Sequence, residues 1–304
     1  MKSFLLITLC LIQLSQAEPA LKKNQRVLWL GDSVTANGTH IGLIDAYLAT
    51  QHPELNITHM PCGLSSETAC GLSEPLHSWP RPNVHERLDR AIEKLDFDVA
   101  IICYGVNDGI YHPFSDERFE TYQQGMTSLI DKLNATGAKV IALTPAPFDA
   151  GSFPADKLLP KGAAEYGYTK VYKDYNQVMI RYAEWVLIGS PAKLRINITE
   201  PLTIKIAKRR KKDPKWKSGD GVHPNAETYA MLAEIILDGL GFKNADLSKV
   251  PEEKRKLALR KHHMLSTAYR EHVGHKRPGA PKNPMPLKDA LEKAAEIDKQ
   301  IREK

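Results

Sequence analysis

Cysteine is scarce in this chain. Four occur in 304 residues, Cys10, Cys62, Cys70 and Cys103, and none takes the paired Cys-x-x-Cys spacing of a structural zinc site. No metal and no cofactor are expected on these grounds. Long apolar runs are also missing: none reaches the roughly 20 residues that a membrane-spanning helix requires, so no membrane span is expected. Neither charge sign dominates. The 42 basic and 36 acidic side chains leave a formal net charge of +6, too mild to imply a nucleic-acid partner. With 42% apolar and 26% charged residues, disorder over most of the chain is excluded. There are no internal repeats, and the length fits one large domain.

The first residues form a targeting pattern rather than part of a fold. Lys2 supplies a positive start, Phe4 to Leu14 is apolar except for Thr8 and Gln13, and Ser15-Gln16-Ala17 is a small-x-small cleavage site. Cleavage is expected after Ala17, and a secreted or periplasmic protein follows. Leu9, directly before Cys10, argues against a lipid-modified cysteine. Cys62 and Cys70 are placed to pair across a short loop, with Cys103 buried and free at a strand end.

Beyond the signal, β-branched apolar runs alternate with amphipathic helical stretches, the pattern of βαβ units and a parallel sheet. Strands are expected at 26–30, 55–60, 98–104 and 139–144, with a short fifth at 195–199. Val99-Ala100-Ile101-Ile102-Cys103 is continuously apolar, as in a strand covered on both faces. Helices are expected at 41–52, 84–95, 115–136, 168–187 and 225–240. Ser115 caps the third ahead of Asp116 and Glu117, and Gly137 stops it. After Val250 the chain turns to charged helix (252–275), a Pro/Gly-rich link (278–286) and a last helix to Ile301. These residues, 251–304, read as an extension packed on a main domain of 18–250, since they hold too few large apolar side chains for a core of their own.

Three polar motifs fall at strand ends, where doubly wound sheets place their sites. The first strand runs into Gly31-Asp32-Ser33, where a serine at a strand-to-helix turn projects its hydroxyl beside backbone N–H groups. The third runs into Gly105-Val106-Asn107-Asp108-Gly109, where an Asn amide can serve a developing oxyanion. Asp220-Gly221-Val222-His223-Pro224 opens a late helix. Its spacing lets the carboxylate accept the imidazole Nδ1 proton and leaves Nε2 to take a proton from a hydroxyl. Each alone also makes an ordinary turn or cap. Their coincidence at the ends of one sheet does not read as chance.

Those three segments, in this order, resemble the SGNH, or GDSL-type, hydrolases over roughly residues 26 to 241. The resemblance implies a three-layer α/β/α sandwich with a central, mostly parallel five-stranded sheet. It implies ester hydrolysis in which Ser33 attacks, His223 is base then acid, and Asp220 orients His223. The oxyanion would be held by the Ser33 backbone N–H, the Asn107 amide and one loop N–H. The chain departs from the family at Val34, where Leu is usual. It departs again in Pro61-Cys62-Gly63-Leu64-Ser65-Ser66-Glu67-Thr68, where Ser66 fills the family glycine's place before the acidic-Thr pair. Ser66 or Gly63 then gives the third donor.

Other candidates have plainer readings. His40, His52, His59, His77, His85 and His112 show no ligand pattern, and His262-His263 with His272 and His275 lie on a charged face. Glu67 and Asp108 suggest a glycosidase-like acid pair without the context of the Asp-His block. Tyr166, Tyr168, Tyr172, Tyr175, Tyr182 and Trp185 fall at largely helical spacing, as in a core, with a sugar platform the lesser reading. The stretch 205–217 holds eight basic residues and one acid, either a solvated face or a rim for an anionic polymer with Trp216 stacking on a sugar. A secreted esterase for small, acetyl-like acyl groups on a carbohydrate is expected, the partner being an acidic polysaccharide if the rim works. A lysophospholipase-like esterase and a non-catalytic carbohydrate-binding protein on the same fold are the alternatives.

Overall fold

The computed structural model describes residues 19–303. The signal-like segment, residues 2–17, lies outside the described residues. Strand β1 (Arg26–Gly31) leads into a one-turn helix, α1 (Ser33–Asn37), and then α2 (Thr39–Gln51). There follow β2 (Thr58–Pro61), α3 (Leu88–Lys94), β3 (Val99–Cys103), α4 (Asp116–Ala135) and β4 (Lys139–Leu143). Two-residue strands β5 (Leu158–Leu159) and β6 (Val171–Tyr172) precede α5 (Tyr175–Ile188), β7 (Leu194–Ile196), α6 (Thr199–Lys212) and α7 (Ala226–Gly239). Two further helices, α8 (Glu252–Val273) and α9 (Leu287–Arg302), end the described chain.

The main sheet has five parallel strands in the order β2-β1-β3-β4-β7. Its continuously apolar strands still alternate between two cores, because successive side chains leave a strand on opposite faces. Leu28, Leu30, Ala100, Ile102, Val140 and Ala142 pack with α3, α4 and α5. Val27, Trp29, Val99, Ile101, Ile141 and Leu143 pack with α2, α6 and α7. Helix, sheet, helix is therefore the layering, as expected. The chain passes from β1 to β2 on one side and then crosses back over β1 to β3 on the other. A crevice opens at the carboxyl ends of β1 and β3, where that reversal occurs.

Gly31 ends β1 at this point because nothing larger fits: a Cβ there would lie 2.2 Å from Thr35 Oγ1 and 2.8 Å from the Cys103 carbonyl oxygen. The caps follow the sequence. Ser115 accepts from Arg118 N at the start of α4, and Asn225 accepts from Thr228 N at the start of α7.

Helix α8 runs over the β2 edge, with Ala258 in one core and Leu265, Ala268, Tyr269 and Val273 in the other. It thereby covers a strand edge that would otherwise be open to pairing. A buried polar cluster ties it to α2: Asp45 meets Lys261 at 2.5 Å and His262 Nε2 at 3.1 Å, while Asp298 of α9 also pairs with Lys261. His262 is thus a packed core group. His275 contacts Glu271 at 3.2 Å.

Three expectations need correction. Residues 168–174 are not helical; Val171–Tyr172 pairs with Leu158–Leu159, and α5 starts only at Tyr175. The last strand is Leu194–Ile196, and Thr199 already opens α6, where its hydroxyl is bonded to Thr144 Oγ1 and the Pro145 carbonyl. The Cys62–Cys70 pair does not form: Cys62, Cys70 and Cys103 are all free thiols. Cys62 Sγ accepts from Arg87 Nη1 at 3.2 Å, and Cys70 Sγ accepts from Leu72 N.

Candidate active site

Ser33 is the first residue of α1, so its N–H has no helical acceptor. Asp32, one residue earlier, caps the helix by accepting from Val34 N at 2.9 Å. From the far side comes a tight loop closed by Asn225 N donating to the Ser218 carbonyl at 2.7 Å and Asp220 N to the His223 carbonyl at 3.2 Å. Asp220 and His223 stand on this loop ahead of α7, not in a helical turn. Asp220 Oδ1 accepts from Val222 N and His223 N, at 2.8 and 2.7 Å, which locks the carboxylate. Its Oδ2 then meets His223 Nδ1 at 2.8 Å, and His223 Nε2 meets Ser33 Oγ at 2.9 Å. A carboxylate at Nδ1 fixes the proton there and leaves Nε2 as acceptor. The hydrogen bond to Asp220 raises the His223 pKa above its ordinary value, against the opposing effect of burial. Burial pushes Asp220 up, but the bonds from His223 and Val222 outweigh it and bring the carboxyl to about 2.

Asn107 lies in the turn that follows β3, buried, with Nδ2 donating to the Glu67 carbonyl at 3.1 Å and Oδ1 accepting from Tyr111 OH at 3.0 Å. A carbonyl only accepts, so the amide orientation is set and a second Nδ2 proton is left over. Ser33, Ser66, Asn107, Asp220 and His223 all line one cavity of about 510 Å³. Ser66 takes φ 67°, a left-handed backbone that glycine favours and that costs a serine on the order of 1 kcal/mol. Its N–H takes no part in the loop's backbone bonds. Gly63 is not brought to the cavity. It is packed against α1, where a Cβ would lie 2.4 Å from Ala36 N, so its small size serves close packing rather than oxyanion binding.

Glu67 and Asp108 are structural as well. Glu67 is fully buried, accepting from Arg87 Nε and Nη2 at 2.6 and 2.7 Å and from Tyr104 OH at 2.6 Å. Asp108 Oδ1 accepts from Ala69 N and Cys70 N. Neither lines the cavity, so the glycosidase-like pair is not assembled.

A family model, the GDSL-like lipase/acylhydrolase family, matches residues 29–231. The chain belongs to that family. As a GDSL-like hydrolase it acts on ester bonds. Among curated proteins none matches the chain at the sequence level. Solved structures share the fold. A gut microbial diltiazem-metabolizing enzyme aligns with TM-score 0.54 and 19% identity over 75% of this chain and 49% of its own, so the GDSL-like chain spans about half of that protein. LAE5, an alpha/beta hydrolase from the metagenome of Lake Arreo, Spain, gives 0.50 and 18% over 75% and 100%. A catalytic mutant of Axe2, an acetylxylan esterase from Geobacillus stearothermophilus, gives 0.49 and 17% over 75% and 98%.

The GDSL-like site also rests on residues that sequence reasoning passed over. Asp149 Oδ2 accepts from Ser152 Oγ and Ser218 Oγ, each at 2.6 Å, and from Arg210 Nη2, while Asp149 N donates to the Gly221 carbonyl. This knot holds the Asp220–His223 loop. It also corrects the basic-rim reading of 205–217. Arg210 belongs to the knot, Arg209 pairs with Glu227 at 2.8 Å, and Lys205 with Glu234 at 3.4 Å. The Trp216 ring is stacked by Arg209 at 5.2 Å and its Nε1 donates to Glu227, and no residue of 205–217 lines the cavity. Tyr111, which orients Asn107, and Ile110 before it have φ 62° and 44°. Backbone strain of this kind costs about 1–3 kcal/mol per residue and collects at functional sites. Its only sequence signal is the loop's position after β3.

Proposed function

We propose that the protein is a serine esterase that removes small acyl groups, acetyl above all, from a carbohydrate alcohol. The hydrogen-bonded chain Asp220–His223–Ser33, at 2.8 and 2.9 Å, carries this reading. Ser33 Oγ attacks the acyl carbon as its proton passes to His223 Nε2. The tetrahedral oxyanion is held by the N–H groups of Ser33 and Ser66 and by Asn107 Nδ2. Collapse expels the alcohol, which takes the proton from His223, and leaves an acyl-Ser33. Water then attacks with His223 again as base, releasing the acid and restoring Ser33.

The cavity wall suits a small acyl group. Its apolar side chains are Trp79, Tyr111, Phe153, Pro154, Tyr168 and Val222, with no Leu, Ile or Met to form a channel for a long chain. This disfavours the lysophospholipase-like alternative. Carbohydrate is supported by the aromatic patch in which His77 lies 5.1 Å from Trp79 and 5.3 Å from Tyr168. Export is supported by the Lys2, Phe4–Leu14 and Ser15-Gln16-Ala17 pattern. Turnover of p-nitrophenyl acetate that disappears in Ser33→Ala is the expected result. Undiminished turnover in that variant overturns Ser33 as the nucleophile, and no turnover by the native protein with any small-acyl ester overturns the proposal in favour of a binding protein.

A further inference from the structure

The cavity wall carries three cations besides the paired His223: Arg81, Lys157 and Arg277. Its one carboxylate is Asp220, which is engaged with His223 and two backbone amides. Arg81 is neutralised, because Glu74 accepts from its Nε and Nη2, each at 2.6 Å. The other two are not. Among the described residues, no carboxylate lies within ion-pair distance of Lys157 or Arg277. Arg277 comes from the link between α8 and α9 and lies over the Trp79 ring, 5.5 Å from its centroid. Its Nη1 donates only to the neighbouring Pro278 carbonyl at 3.0 Å. Burial and the nearby charge of Arg270 both lower its pKa, the direction expected where a cation lacks a counter-ion. A guanidinium already held over an indole and bonded to a backbone carbonyl has less freedom to lose when a ligand arrives.

We propose that Arg277 and Lys157 form an anion subsite beside Ser33, and that the preferred substrate is an acylated sugar bearing an acidic group. A uronate carboxylate and a sugar sulfate share the required chemistry, a compact oxyanion on the alcohol portion of the ester. The inference rests on the esterase reading for its substrate, but the subsite itself does not depend on turnover. It also gives the C-terminal extension a part in recognition, since Arg277 reaches the cavity only because α8 crosses the β2 edge.

The test compares acetylated galacturonate oligomers with the same oligomers methyl-esterified at the carboxylate, and adds an acetylated sulfated sugar as a third arm. The readout is the ratio of kcat/KM between acidic and methyl-esterified forms, in which any general loss of activity cancels. A charge-assisted contact predicts a preference of about tenfold for the acid, expressed in KM. Arg277→Gln and Lys157→Gln should each reduce that ratio several-fold, while Arg277→Lys should keep most of it. Raised salt should shrink the ratio in the native protein alone. Equal rates on free and methyl-esterified oligomers in the native protein, together with no preference for the sulfated sugar, overturn the subsite, as does a preference left unchanged in both Gln variants. A preference for the sulfated sugar alone keeps the subsite and assigns it to sulfate. If no ester is turned over, the esterase reading fails by itself. Calorimetric binding of galacturonate oligomers against their methyl esters then decides the subsite, with tighter binding of the acid expected and equal binding refuting it.

Discussion

Replacing Asp32 with Asn should stabilise the protein, and by an amount that grows with pH. Asp32 is 3% exposed, and burial pushes its carboxyl from the ordinary 3.8 up to about 7, with the bond from Val34 N only partly opposing. The folded state therefore keeps a proton that the unfolded chain gives up above its lower pKa. Stability from this group is fully present below about pH 4, falls as pH rises, and is lost once pH passes about 7. At about 1.4 kcal/mol per pH unit, the cost of folding reaches about 2 kcal/mol at pH 5 and about 4 kcal/mol at pH 8. Asn matches Asp as a helix cap and resembles the protonated acid in carrying a donor, so it removes the charge with little else. Urea unfolding of both proteins across this range should show Asp32→Asn the more stable, with the gap widening by about 2 kcal/mol toward alkaline pH. Titrations elsewhere in the chain are common to both and cancel. A pH-independent gap, or a less stable variant at pH 8, would refute a buried carboxyl held near 7.

Asn107→Ala should lower kcat by roughly 10²–10³ with KM little changed, as for a donor that acts on the transition state; a change confined to KM would show ground-state binding instead. Because the bond to Asp220 raises the His223 pKa, kcat/KM for p-nitrophenyl acetate should rise with pH through a midpoint above 6.5, and the midpoint should drop in Asp220→Asn. Lys261→Met strands Asp45 in the core beneath α8, and breaking such a pair should cost about 3–5 kcal/mol by urea unfolding; a loss under about 1 kcal/mol would mean that His262 alone satisfies Asp45.

The sheet and the three motif blocks could be read from sequence because each is written locally. Val99–Cys103 is apolar without interruption, and Asp220 and His223 are three residues apart. What stayed hidden depends on partners distant in the chain. The basic stretch of α6 reads as a free charged face until Asp149, Glu227 and Glu234 arrive to bind Arg210, Arg209 and Lys205. Tyr168 to Asp174 has helical aromatic spacing, but Val171–Tyr172 is drawn into pairing with Leu158–Leu159, and Tyr172 N donates to the Tyr111 carbonyl. Cys62 and Cys70 looked paired by proximity in sequence, whereas Arg87, 25 residues beyond Cys62, occupies that sulfur. Arg277 carried no signal at all, since its place beside Trp79 is made by the path of α8 around the sheet edge.

The nucleophile is the centre of this reading, and covalent capture tests it most directly. A phosphonate ester should modify the native protein once, and peptide mass mapping should place the adduct on Ser33. His223→Ala, which removes the base 2.9 Å from Ser33 Oγ, should slow labelling by orders of magnitude. An adduct on another residue, or equal labelling with and without His223, would contradict the Ser33–His223–Asp220 assignment.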